Sequence, residues 1–272
     1  MASLLLDVGG TFIKGAVAES PAPVFSDRFD IPIDSAGNFD SISASLRAAC
    51  ARSVSCERVA VAIPGPFDYA AGTFLMKHKF ASVYGLSFRA LAGIPQSVPV
   101  SFVHDVNCML AGEMAYGAAR GFSNVALVTL GTGLGFTVAV DGSILVAPSG
   151  SPAVGIWDMP WRDGILEDYV SSRGIRRLYS KELSVKEMAD AARAGDVEAE
   201  QAFRYAGEIL VQALEPILYQ YDIECLLFGG QISRSYDLFA PSLTPLSHMV
   251  SHIGPVSDIS NATFGGLLAG AF

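Results

Sequence analysis

The chain opens on an apolar run, Leu4-Leu5-Leu6, that ends in a carboxylate, Asp7, and a Gly9-Gly10 pair before a second run, Phe12 to Ala18, turns back. Short apolar runs bounded by glycine predict strands joined by a turn. The same order returns mid-chain: Val125 to Leu130, the turn Gly131-Thr132-Gly133-Leu134-Gly135, a further apolar strand, and a tight Asp141-Gly142 turn. Between these hairpins lie a proline-punctuated stretch (Pro21, Pro23, Pro32) and a helix from about Ser41 to Cys50. A strand from Arg58 to Ile63 then stops at Pro64-Gly65-Pro66, a strand from Val98 to Val103 follows, and a helix runs from about Cys108 to Ala118. After the second hairpin come a loop with Pro, Gly and Trp, a helix from Val185 to Ala194, and a helix capped by Asp196 that Pro216 is expected to kink. A strand from Cys225 ends in Gly229-Gly230, and a Gly- and Ala-rich helix from Thr263 to Phe272 closes the chain. Strands alternating with helices predict an α/β protein, and a hairpin opening each half is the nearest thing to an internal repeat.

The turns carry the candidate chemistry. Paired glycines permit φ > 0 and leave backbone amides bare toward an anion, so Gly9, Gly10, Gly131 and Gly133 read as phosphate cradles, with Thr11 and Thr132 adding hydroxyl donors. Lys14 adds charge from the second strand, and Asp7 is an oxygen donor suited to a hydrated Mg²⁺. A plain β-hairpin is the alternative for Asp-x-Gly-Gly alone. Gly131-x-Gly-x-Gly135 is followed by strand-patterned residues rather than a helix, and no Gly-Lys-Ser/Thr is present, so neither a Rossmann fingerprint nor a P-loop is indicated. Gly229-Gly230 reads as a turn on which a base or ribose lies against bare backbone.

Composition narrows the classes. With 272 residues, 51% hydrophobic and 17% charged, the chain can bury a large core. A net charge of −9 argues against nucleic-acid binding, which requires clustered Lys and Arg. No apolar run approaches the roughly 20 residues of a membrane helix. The chain enters a strand at once, without a basic leader, so the cytoplasm is the expected location. Cys50, Cys56, Cys108 and Cys225 are scattered, as suits reduced thiols.

In order along the chain, Asp7 to Gly15, Ala62 to Asp68, His104-Asp105-Val106-Asn107, Leu130 to Gly135, Gly164-Ile165-Leu166-Glu167 and Phe228-Gly229-Gly230 resemble motifs of the ROK group of sugar kinases and repressors. These correspond to phosphate-1, the Pro-Gly-Pro segment, the catalytic aspartate, phosphate-2, Gly-Cys-Leu-Glu and the adenosine turn. The resemblance implies a two-domain actin-like (ribonuclease H-like) ATPase fold with an interdomain cleft. Its domains are expected at 1–112, completed by the C-terminal helix 259–272, and at 113–258, with the helix after Asn107 as hinge. It also implies ATP and Mg²⁺ as partners of Asp7, Gly9, Gly10, Thr11, Lys14, Gly131, Thr132, Gly133, Gly229 and Gly230. Homodimers are common in the group.

The expected reaction is transfer of the γ-phosphate of ATP to a hydroxyl of a hexose or hexosamine-like sugar, with Asp105 as the base that takes the hydroxyl proton. A helix N-cap is the alternative role for Asp105. Glu167 resembles the family glutamate that orients sugar hydroxyls, with a helix-start glutamate as alternative. His104 is a sugar ligand or a structural histidine, and Asn107 a local helix-start residue.

Two departures bear on specificity. The stretch Asp158 to Ile165 lacks the Cys-rich zinc knuckle of many relatives, so no structural zinc is expected. Where hexokinase-active relatives carry Gly-Glu-x-Gly-His, this chain has Pro152 to Pro160, so the Glu becomes Ala153 or Gly155 and the His becomes Ile156 or Asp158. Asp158, Trp157 and Trp161 are candidates to compensate, with core or dimer-interface packing the alternative for the tryptophans. Lys77-His78-Lys79 reads as a solvated loop or as cations facing an anionic substrate group. A DNA-binding winged helix is not expected, since the phosphate motif begins at residue 7. A binding or regulatory protein without catalysis is the principal alternative function.

Overall fold

A computed structural model describes residues 2–19 and 22–270, so Pro21 and the last two residues of the expected terminal helix lie outside the described residues. The chain divides into two units, one of residues 1–116, 146–152 and 260–272, the other of 117–145 and 153–259. Each contains one five-stranded mixed sheet.

In the first unit the sheet order is Phe25–Pro32, Phe12–Glu19, Ala2–Val8, Arg58–Ile63, Val100–His104, the first two pairings antiparallel and the last two parallel. The second unit repeats that plan: Ser143–Ile144, Leu134–Val140, Val125–Leu130, Cys225–Gly229, His252–Pro255. Two sheets with one strand order, each begun by a glycine-turned hairpin, are the duplicated architecture of the actin-like fold.

Strand alternation fixes what covers each face. In the first unit Leu4, Leu6, Val8 and Ile13 pack with Ile42, Leu46 and Ala49 of the helix Phe39–Cys50. Asn38 caps that helix by accepting from the Ser41 amide. The opposite face carries Leu5, Ala16, Ala18, Ala60 and Ala62, small enough to bring the helix Ala262–Ala269 down onto the sheet through Phe264, Leu267 and Leu268. Gly15 on this sheet is covered by its cross-strand partner Phe29, whose ring stands where a Cβ would lie. In the second unit Ala126, Val128, Leu226 and Phe228 pack against Phe203, Leu210 and Leu214 of the helix Val197–Gln220. Asp196 caps that helix through the Ala199 amide, as the sequence predicts, and Pro216 lies inside it.

The helix expected from about Cys108 instead runs Asp105–Tyr116, entirely within the first unit. It crosses Ala262–Ala269 at two glycines. A Cβ on Gly112 would lie 1.9 Å from the Ala262 carbonyl oxygen, and one on Gly266 would lie 1.9 Å from that of Cys108. Both backbones occupy space that any side chain would need. Gly112→Ala is therefore expected to lower unfolding stability by about 3 kcal/mol, the upper range for overpacking against unyielding backbone, as read by denaturant melts. An unchanged midpoint would show that the helices separate without cost.

Candidate active site

The central strand Ala2–Val8 is buried until Asp7, which alternation places on the alanine-rich face. The parallel strand Val100–His104 ends where the helix Asp105–Tyr116 begins, so Asp105 stands at the carboxyl edge of the same sheet. Its Oδ1 accepts from the Val106 amide at 2.8 Å and lies 3.0 Å from His104 Nδ1. A hydrogen bond on the second path requires the proton on Nδ1. Asp105 is the first residue of its helix and accepts from its immediate neighbour, which is not the N2 or N3 pattern of an N-cap.

Asp7 and Asp105 face each other electrostatically, with opposite results. Desolvation, the Asp105 charge and, in opposition, the Lys14 ammonium set Asp7, whose carboxyl is pushed up to about 6. Desolvation also raises Asp105, but the His104 charge, hydrogen bonds from His104 and Val106, and the Lys79 ammonium bring it below the ordinary carboxylate value. One carboxylate is thus held ionised beside another that ionises reluctantly.

Neighbours that the sequence marks weakly complete this half. Lys79 is half-buried and its ammonium lowers the Asp105 carboxyl, while Lys77 stands over the Tyr84 ring. Tyr69 donates to the Ile63 carbonyl at 3.2 Å, its ring lies 6.0 Å from that of His104, and it is bonded to the Ser151 side chain. Burial and the Asp105 charge push its phenol up. Asn107 is buried, and its Nδ2 donates to the Gly150 carbonyl at 3.4 Å, which ties the 146–152 loop to the helix Asp105–Tyr116. It is therefore more than a helix-start residue.

The hairpin turns are built for room. Neither Gly9 nor Gly10 adopts positive φ, nor do Gly131 and Gly133, so the expectation of left-handed backbone there is corrected. A Cβ on Gly9 would lie 3.1 Å from the Phe12 carbonyl oxygen and one on Gly10 3.3 Å from Ser35 Oγ, whereas one on Gly131 would meet nothing within 4 Å. Thr11 and Thr132 are exposed. Lys14 pairs across the strands with Asp7 and Asp30 and opens with Arg28 onto a groove of about 480 Å³ beside Phe264.

In the second unit Glu167 begins the helix Glu167–Val170, and its Oε2 accepts from the Leu134 amide at 2.9 Å. Gly230 is at φ 80°, and a Cβ there would lie 2.3 Å from the Leu130 carbonyl oxygen. Its bare face is thus filled by neighbouring backbone rather than left open for a base, while Gly229 is buried in its strand. The 149–161 stretch divides: Ser151 lies with Tyr69 in the first unit, whereas Ile156 is fully buried in the core of the second. Asp158 is exposed, Trp157 is half-exposed, and Trp161 packs on that core with its indole nitrogen buried and unpartnered.

The ROK family model matches residues 4–253, and the chain belongs to the ROK family. It is 23% identical over 250 residues to an N-acetylmannosamine kinase of Escherichia coli O157:H7, covering 85% of this chain and 84% of that one. It is 26% identical over 212 residues to a glucokinase of Thermotoga maritima, covering 67% of each. A ROK glucokinase of Streptomyces griseus in complex with glucose and AMPPNP superposes with a TM-score of 0.82 at 19% identity over 98% of both chains. That superposition establishes the actin-like fold of the family.

The Asp7 shift predicts a pH dependence. With a folded pKa near 6 against an ordinary 3.8, the neutral form favours folding, so this contribution is present below pH 4 and lost as pH rises through 6. In metal-free buffer Asp7→Asn should therefore match the parent near pH 4 and exceed it above pH 6, by on the order of 1 to 2 kcal/mol after solvent screening. Melting curves across pH check this, and a gap independent of pH would contradict it.

Proposed function

We propose that this protein transfers the γ-phosphate of ATP to a hydroxyl of a hexose or hexosamine-like sugar. The observation that carries the reading is Asp105, a carboxylate kept ionised by His104, the Val106 amide and Lys79 at the edge of a sheet whose central strand ends in a glycine turn. As the sugar oxygen forms its bond to phosphorus and the bond from phosphorus to the ADP oxygen breaks, the hydroxyl proton passes to Asp105. A base of low pKa suits this transfer, because the alcohol becomes acidic only as its oxygen gains bond order to phosphorus.

Gly9, Gly10, Thr11, Gly131, Thr132 and Gly133 are assigned to the phosphates, with Gly229 and Gly230 shaping the adenosine side through their packing. The absence of any atom near a Cβ at Gly131 supports its assignment. The donor set fits Mg²⁺: Asp7 is a hard oxygen ligand in a position where burial and, after it, a second carboxylate make negative charge costly, which a cation relieves. Mg²⁺ there supplies neutralisation of phosphate charge. His104 and Glu167 are the acceptor-side candidates, with Lys79 and Tyr69 added by the structure. Exposed Asp158 is retained only as a rim contact. A homodimer in the cytoplasm belongs to the same reading. Among the described residues no helix is long and apolar enough to cross a membrane.

One observation favours a second reading, a sugar- or nucleotide-binding regulator without turnover. Where the family's Glu and His are expected stand exposed Ala153 or Gly155 and buried Ile156 or exposed Asp158. ADP release with Mg-ATP across glucose, fructose, mannose, allose, N-acetylglucosamine and N-acetylmannosamine separates the two. Turnover on one sugar is expected, with Asp105→Asn lowering kcat by about a thousandfold or more while nucleotide affinity stays within about threefold. Near-normal turnover in that variant would refute Asp105 as base, and nucleotide binding without turnover on any sugar would favour the regulator.

A further inference from the structure

The second glycine turn is held from outside by one short segment. Glu167 Oε2 accepts from the Leu134 amide at 2.9 Å, and five residues on the Ser172 amide donates to the Gly131 carbonyl at 2.9 Å. Within the turn the Gly131 amide donates to the Gly133 carbonyl at 3.0 Å. Both ends of Gly131 to Leu134 are therefore pinned to residues 167–172. Gly133 belongs to the same device: a Cβ there would lie 2.8 Å from Glu167 Oε2 and 3.6 Å from its Cδ, with no other atom within 4 Å. Because φ at 133 is not positive, the Glu167 carboxylate in its observed place is what a side chain there would displace.

We propose that Glu167 is a positioning residue for the phosphate-binding turn, holding Gly131-Thr132-Gly133 in register for the ATP phosphates through its hydrogen bond to the Leu134 amide. This rests on the kinase reading above. It goes beyond the sugar-orienting role that resemblance gives Glu167. A bonded carboxylate oxygen keeps spare acceptor capacity, and Oε1 is free to meet a sugar hydroxyl while Oε2 keeps its bond to the turn. An anionic acceptor also makes a stronger bond to a backbone amide than a neutral one, so a single contact can fix the turn.

Binding of Mg-AMPPNP without sugar isolates this role, because sugar contacts cannot contribute. Glu167→Ala should weaken binding by about tenfold, the scale of one lost hydrogen bond to a charged group. Glu167→Gln, whose amide oxygen can still accept from Leu134, should stay within about threefold of the parent. Gly133→Ala displaces the flexible carboxylate instead of breaking the fold, so it should mimic Glu167→Ala, and the double variant should bind no worse than either single. Unchanged affinity in Glu167→Ala, equal losses in the Gln and Ala variants, or additive losses in the double variant would each overturn the positioning role while leaving the kinase reading intact. A parent protein that binds no nucleotide would overturn both.

Discussion

The crossing of Asp105–Tyr116 over Ala262–Ala269 fixes where Asp105 stands. Main-chain atoms at Gly112 and Gly266 approach to distances that exclude any Cβ, and an alanine-lined sheet face lies beneath. Close-packed interiors transmit displacement, so a helix locked at its middle cannot shift at its first residue without moving the lock. The proposed role of Asp105 needs that rigidity, since a base must sit within hydrogen-bond reach of the proton it takes.

Charge around Asp105 follows from the same placement. The helix start brings Asp105 into the field of Asp7 on the central strand, and two carboxylates near each other in a partly desolvated site do not ionise equally. His104, the Val106 amide and Lys79 decide the inequality in favour of Asp105. Asp7 is left as the group whose charge needs a partner. In the proposed reaction the pair divides the work between a base already ionised and an oxygen ligand that gains by meeting a cation.

In the second unit the glycine turn is shaped by packing too. Gly230 presses on the Leu130 backbone and Gly133 on the Glu167 carboxylate, so the strand end and the turn proposed for the phosphates are braced by the protein's own packing. Such preorganisation is how a protein confers electrostatic stabilisation without reorganising as the reaction proceeds. In the first unit His104, Lys79 and Tyr69 act on or feel the Asp105 charge, and Ser151 is hydrogen-bonded to Tyr69, while Ile156 lies in the core of the second.

Local pattern determined the elements. Apolar runs ending in glycine gave both hairpins, Arg58–Ile63 was legible to the residue, Asp196 announced its cap, and the order of the motifs pointed to the family before any fold was seen. These features depend on neighbours within a few positions, which periodicity and turn chemistry record. Tertiary structure alone decided that Lys79 and Tyr69 attend Asp105, that Asn107 holds the 146–152 loop, and that the stretch 149–161 is shared between two units. It also decided why glycine stands at 112 and 266: the atoms that exclude a side chain there belong to residues 150 to 158 positions away, and no local pattern encodes what a distant segment will press against. A sequence records what a residue can do, and packing selects which neighbours it does it with.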